Sequence, residues 1–333
     1  MITPSDARMT FGDGTAPYVT FRLADERAVW ELLLDPELRL GELYMDGRLA
    51  LERGSIYELL ELLLRDAGGT RSFFNFYPLK AVRELRWRLA PANTAARAQR
   101  NVAHHYDLDG RLYDLFLDAD RQYSCAYFEH PDQSLDEAQK AKKRHIASKL
   151  RVRPGHRVLD IGSGWGGLAQ YLVETARAGE ALGVTLSHEQ LAYSRERVEK
   201  AGLSERVRFA LQDYRKVEGT FDRIVSVGMF EHVGRASYGV FFQSCARLLA
   251  DDGVMLLHTI GRTGEPYGPN PWITRYIFPG GHIPTLTEIA PVLERSGLVL
   301  TDLEVLRLDY AMTLRAWRGR FLSRRDEGTR LYD

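Results

Sequence analysis

The run Val158 to Gly167 (VLDIGSGWGG) reads as an apolar strand feeding a glycine turn and then a helix. Glycines in such a turn allow positive φ and let a ligand approach the backbone closely. Gly162, Gly164 and Gly167, with Trp165 and Gly166 between them, satisfy G-x-G-x-x-G, a spacing that fits a dinucleotide as well as S-adenosylmethionine. Asp160 separates the two. A carboxylate just upstream of the turn repels a pyrophosphate, but suits a cofactor that carries an ammonium and a sulfonium and no phosphate. The second strand ends in Gly183-Val184-Thr185-Leu186-Ser187, without the acid that a nicotinamide enzyme places there for the ribose hydroxyls. Thr185 and, one helical turn on, Gln190 can bond the ribose instead. Gln212-Asp213-Tyr214, closing the third strand, offers an acid for the adenine amino group and an aromatic face beside it. The alternative, a glycine loop that only packs strand on helix, leaves these three features unexplained. The reading is therefore a methyltransferase domain that binds S-adenosylmethionine, over roughly residues 145–310.

The elements that must position these residues alternate. Strands are expected over 157–161, 181–186, 207–211, 221–227 and 254–260, with helices over 167–175, 189–201 and 238–249. Ser134-Leu135-Asp136 marks the start of a further helix over 137–150. Continuous apolar runs of this kind suit a parallel sheet buried on both faces, whose ligands sit outside the carboxyl ends of the strands. The fold class is α/β: a class I methyltransferase (Rossmann-like) sheet with helices on both faces, plus a small N-terminal α+β domain. In that domain, strand-like YVTFRL from Tyr18 leads into three short helical patterns that end near Asp66. Ala67 to Ser72 (AGGTRS) carries no periodicity and is a candidate boundary. Beyond it Phe73, Phe74, Phe76 and Tyr77 crowd together, and Pro78 opens a helix with Lys80, Arg83, Arg86, Trp87 and Arg88. Basic residues between Arg71 and Arg100 are opposed by Glu84 alone, so this stretch is either a membrane-surface contact or a solvated linker helix. The expected organisation is an N-terminal lipid-binding domain over 1–70, a basic aromatic linker over 71–100 and the methyltransferase domain over 101–333.

Lys plus Arg and Asp plus Glu both number 45 in the 333 residues, so no net charge draws the molecule to nucleic acid. Cys125 and Cys245 show no disulfide or metal spacing, and His104 and His105 have no partner at metal-ligand spacing, so no metal is assigned. The N-terminal residues lack a basic cluster followed by an apolar stretch, and no apolar run reaches spanning length, which gives a cytoplasmic expectation.

With the loop identified, the flanking segments carry a resemblance: HYDL from His105, QYSCAYF from Gln122, Val158 to Gly167, Gly183 to Ser187 with Glu189-Gln190, Gln212 to Arg215, Phe221 to Gly234, and LHTIG from Leu257. Together they closely resemble the cyclopropane-fatty-acyl-phospholipid synthases and their relatives, the mycolic acid cyclopropane synthases, from about Arg97 to Leu322. The resemblance implies methyl transfer from S-adenosylmethionine to a cis double bond in an acyl chain, followed by closure of a three-membered ring. It implies a bound bicarbonate as base, with ligands that map onto Cys125, Glu231, His258, Ile260 (backbone) and Tyr310. Cofactor contacts map onto Tyr106, Tyr123, Ser124, Asp160, Gly162, Gly164, Trp165, Gly166, Thr185, Leu186, Gln190, Asp213 and Tyr214. Residues 261–284, with Trp272, Tyr276, Ile277 and Phe278, have a composition fit for walling an acyl channel. The N-terminal segment points to phospholipid as substrate, in peripheral contact with the inner face of the cytoplasmic membrane, and the family suggests a homodimer.

Two departures stand out. Ser163 replaces a cysteine found in many members. The family pattern also continues past this point with a helix and a final strand that pairs with one around 303–308, whereas this chain stops at Tyr332-Asp333, so its sheet is expected to lack a strand. Two other readings stay open: a relative that makes methyl-branched or methylene fatty acids, and a non-catalytic lipid-binding relative.

Overall fold

The structure, a computed structural model, describes residues 1–12, 18–66, 78–88 and 110–332. The AGGTRS break, the aromatic run to Tyr77, His104, His105 and Tyr106 lie outside the described residues. The chain divides into two compact units, one of residues 1–90 with 267–279 and one of residues 91–266 with 280–333.

In the first unit β1 (Thr20–Leu23) pairs antiparallel with β2 (Leu49–Arg53). Between them lie α1 (Glu26–Leu34) and α2 (Pro36–Met45), and α3 (Ile56–Asp66) and α4 (Pro78–Arg88) follow. Leu23, Ala28, Leu43, Leu49 and Leu59 form its core. Asp25 starts α1 by accepting from the Ala28 amide at 2.8 Å, and Arg48 clamps the same carboxylate. Three helices match the three periodic patterns in the sequence, and β2 is an addition to them. The unit reaches past residue 70: α4 is tied in by the Arg83–Asp35 ion pair and by the Gly268 amide, which donates to Glu84. The segment 267–279, expected as part of an acyl channel wall, belongs here too. Its helix α10 in chain order (Pro271–Tyr276) is capped by Asn270, and Arg275 and Tyr276 donate to the buried Glu42 at 2.8 and 2.9 Å. At Gly41 an added Cβ would lie 2.3 Å from the Trp272 ring nitrogen, so only glycine admits that ring.

The second unit runs α5 (Gly110–Asp114), α6 (Leu135–Lys149), β3 (Arg157–Ile161), α7 (Gly167–Glu174), β4 (Glu180–Thr185), α8 (His188–Lys200), β5 (Val207–Leu211), β6 (Phe221–Val227), α9 (Tyr238–Leu248), β7 (Leu249–His258), α11 (Leu286–Glu294), α12 (Arg307–Ser323) and α13 (Arg325–Tyr332). The strands form one parallel sheet in the order β5-β4-β3-β6-β7. Alternation along β3 sends Val158 into the core on one face, with Leu172, Val207 and Phe209, and Leu159 and Ile161 into the other, with Ile224, Phe241 and Leu248. The chain leaves β3 toward β4 and later returns on its other side as β6, which opens a crevice at the strand ends where the topology switches. A capping box of Ser134 and Glu137 starts α6 where the sequence places it.

Strand β7 begins at Leu249 rather than at 254 and ends at His258: Leu249 pairs with Phe221, and after a register shift the regular ladder with β6 resumes at Val254 opposite Arg223. The strand expected around 303–308 is absent. Residues 298–306 are irregular, Val299 and Val305 are 82% and 78% exposed, and the chain turns into α12 at Arg307. An extended segment with no partner has no ladder to hold it.

Candidate active site

The crevice is a cleft of about 1100 Å³, counted to its open mouth, lined by the tails of β3, β4, β5 and β6 and by the segment from Arg121 to Ser124. Gly162 has φ 81°, and an added Cβ would lie 2.7 Å from Met229, so this corner admits glycine alone. Gly162 and Ser163 both donate backbone N–H bonds to Val184 O, which ties the turn to β4. Gly164 has φ 54° and open space where its Cβ would stand. Gly166 and Gly167 face away from the cleft. A Cβ on Gly166 would meet Phe209 at 2.6 Å, and one on Gly167 would meet the Asp120 carboxylate at 2.5 Å. Asp120 is itself held by Lys143 and Arg197.

Tyr123, Ser124, Asp160, Gly162, Gly164, Trp165, Thr185, Leu186, Gln190, Asp213 and Tyr214 all line the cleft, Gly166 does not, and Tyr106 lies outside the described residues. Asp160 is 2% exposed and its Oδ2 has no hydrogen-bond partner. Burial pushes its carboxyl up to about 7, against the pull of Lys142. A buried carboxylate oxygen left unpaired in a cleft is a fit for a cationic group, as the ammonium of S-adenosylmethionine would be. Thr185 donates to Gln190 at 2.8 Å, and the Ser187 amide donates to Thr185, so this pair enters the cleft pre-oriented. Asp213 is less free than the sequence suggests. Arg215, two residues on, donates to its carboxylate from Nε at 2.8 Å and Nη2 at 2.6 Å and holds its pKa down. An adenine contact there would have to share oxygens that already accept from a guanidinium.

Cys125, Glu231, His258, Ile260 and Tyr310 come from four separate parts of the second unit. Glu231, in a 3-10 turn after β6, accepts the Ile260 amide at 2.6 Å on Oε1, while its buried Oε2 has no partner. Burial raises its pKa. The Ile260 N–H is thus engaged by Glu231. His258 ends β7 beside Val227, its Nδ1 is buried without a partner, and burial pushes the imidazole down to about 4, so it is neutral at pH 7. Burial raises the Tyr310 phenol on α12 to about 12, and the neighbouring acids Tyr123, Glu231 and Cys125 add to the shift. Burial likewise raises the Cys125 thiol to about 11. Helix α12 also fixes the cysteine segment, because Thr313 accepts the Ala126 amide and Asp309 accepts the Phe128 amide. Next to it Tyr123 packs on Tyr113, Phe116 and Trp317 with ring centroids 5.2 to 6.0 Å apart. At neutral pH the thiol, phenol and imidazole are all uncharged; the Cys125 thiol donates to Ala126 O at 3.2 Å, whereas the buried His258 Nδ1 and Glu231 Oε2 have no partner and could bond a small oxyanion that shares a proton.

Sequence reasoning missed Gln139 and Lys142 of α6, both buried, which hold the Gln122–Ser124 wall. The signal existed. Lys142 stands four residues from both Ala138 and Ile146, on the buried face of the helix.

The sheet order, the glycine turn and the unpaired acid at the end of β3 define a class I methyltransferase that depends on S-adenosylmethionine. Residues 93–333 match the family described as mycolic acid cyclopropane synthetase. The chain belongs to that family. It is 40% identical over 311 residues to the cyclopropane-fatty-acyl-phospholipid synthase of Escherichia coli, covering 93% of this chain and 78% of that protein. A probable fatty acid methyltransferase of Pseudomonas putida is 37% identical over 92% of this chain and 77% of its own length. Among solved structures, mycolic acid cyclopropane synthase CmaA1 complexed with SAH and CTAB superposes with a TM-score of 0.67 at 34% identity, over 70% of this chain and 86% of that one.

Proposed function

We propose that this methyltransferase adds a methylene bridge across the cis double bond of an unsaturated phospholipid acyl chain to form a cyclopropane fatty acid. The observation that carries the reading is a pair of buried polar atoms left without a partner, Glu231 Oε2 in the turn after β6 and His258 Nδ1 at the end of β7, where His258 pairs with Val227 of the cleft lining. The likeness to the Escherichia coli synthase supports it.

S-adenosylmethionine, when bound, supplies an electrophilic methyl on a sulfonium. Asp160 would hold the ammonium of its amino acid portion, Thr185 and Gln190 would orient the ribose, and Tyr214 would offer an aromatic face to the base. An alkene is a weak nucleophile, so the protein's task is to hold the double bond in line and to keep water out. Methyl addition leaves positive charge on the acyl chain, which the faces of Tyr123, Phe116 and Trp317 can stabilise. Ring closure then releases one proton from the added carbon. Cys125, His258 and Tyr310 would hold a bicarbonate by hydrogen bonds, with Glu231 sharing a proton with it, and its chemistry there is to accept that proton. The raised pKa of Glu231 makes such sharing feasible. Replacing Glu231 with Gln is expected to lower product formation at least about 100-fold while leaving S-adenosylhomocysteine binding within a few-fold of wild type. Product formation near the wild-type rate would overturn the assignment of Glu231.

Membrane-surface contact and dimerisation are part of the same proposal. On α4, Leu79, Val82 and Leu85 are exposed beside Arg86, an arrangement suited to an anionic lipid surface. The Pseudomonas putida relative favours a second reading, in which the same cation becomes a methyl branch or an exocyclic methylene. Product structure separates the two.

A further inference from the structure

Lys142 is an anomaly. It is 2% exposed in the middle of α6, yet among the described residues no carboxylate lies within 4.0 Å of its ammonium. Its neighbour Lys143 is paired with Asp120 in the ordinary way. A buried ammonium without an ion pair is costly, so a lysine kept there only for packing would be a poor choice. What Lys142 touches is the cofactor wall: Nζ donates to Ser124 Oγ at 2.7 Å. One turn earlier Gln139 donates to Gln122 O at 3.1 Å and Ser124 O at 3.0 Å, so α6 grips this segment at three atoms. The ammonium also acts at a distance on three groups of the site, Asp160, Cys125 and His258.

We propose that Lys142 is a positioning residue for S-adenosylmethionine: it fixes the Gln122–Ser124 wall through Ser124 and supplies a counter-charge that favours the anionic form of Asp160, which would receive the cofactor's ammonium. The inference rests on the proposed role of Asp160 and is independent of which lipid product forms. Burial drives the Asp160 carboxyl toward its neutral form, and the Lys142 ammonium opposes that shift. The groups that act on Lys142 itself are Asp118, Asp120 and Cys125, which hold its proton on, and Lys143 and burial, which bring it down to about 8. The sign follows. Without the ammonium, Asp160 keeps its proton to higher pH, and a cation binds it only once that proton has left.

The test is calorimetric titration of S-adenosylhomocysteine into the full chain on both sides of neutrality, for wild type and for Lys142→Met, Lys142→Gln, Ser124→Ala and Asp160→Asn. Both Lys142 variants are expected to move the acid limb of binding upward by about one pH unit, a loss approaching tenfold on the acid side, with affinity recovering at alkaline pH. Ser124→Ala keeps the charge and should weaken binding a few-fold at every pH without moving the limb. Asp160→Asn should show no limb at all. A Lys142 variant that binds as wild type, or one weakened equally at every pH, overturns the counter-charge. If neither Lys142 variant folds, Ser124→Ala still decides, since unchanged affinity there overturns the anchoring. Unchanged affinity in Asp160→Asn strikes the proposed role of Asp160 instead, so the two failures are distinguishable.

Discussion

Asp160 couples binding to stability. Its pKa is raised in the fold, so the stability it contributes is present below its unfolded value near 3.8 and is lost as pH rises through about 7. Asp160→Asn should therefore raise the thermal midpoint of the cofactor-free protein more at alkaline than at acid pH. An equal effect at both would show that the carboxyl is not strained by its ionisation. The same residue should release protons near neutral pH when S-adenosylhomocysteine binds, read as a dependence of the binding heat on the buffer. Asp160 was legible in the sequence because one carboxylate beside a glycine turn has few roles. Lys142 was overlooked, since a lysine in so polar a helix reads as solvated even though its spacing from Ala138 and Ile146 puts it on the apolar face. Asp213 was half legible: its place at the end of β5 followed from the strand pattern, whereas its engagement by Arg215 depends on a local turn.

The parallel sheet followed the apolar runs closely, with the bounds of β3, β5 and β6 as expected, because each strand is buried on both faces and flanked by turn residues. Two elements did not. Strand β2 is short and lies between leucine-rich helices, where alternation is hard to separate from helical period. Residues 303–308 read as a strand in the sequence, yet from Arg307 they enter helix α12, which carries Asp309, Tyr310, Thr313 and Trp317 to the cysteine segment. Gly167→Ala drives a methyl into a carboxylate that Lys143 and Arg197 hold in place, and should lower urea-derived stability by about 1–3 kcal/mol. A loss within error of zero would mean that Asp120 can move aside. Ser134→Ala should cost about 1 kcal/mol through the lost cap of α6, measured in the same way.

At the scale of the whole molecule, a chain with equal numbers of acidic and basic side chains can be drawn to an anionic surface only by a local patch. Not every arginine of the basic stretch is available for that. Arg83 is ion-paired with Asp35 inside the first unit, which raises its pKa, and reversing its charge would damage that unit instead of probing lipid contact. Arg86 is exposed. Charge reversal at Arg86 and Arg88 should reduce sedimentation with anionic vesicles, and unchanged binding would return α4 to a structural role.

The central claim is lipid cyclopropanation, and the product tests it most directly. The protein is incubated with vesicles of an unsaturated phospholipid and S-adenosylmethionine deuterated at the methyl group, and the acyl chains are analysed by mass spectrometry and NMR. A cyclopropane ring whose new carbon retains all but one of the deuterons is the expected result. A methyl branch, an exocyclic methylene or unmodified lipid would contradict it.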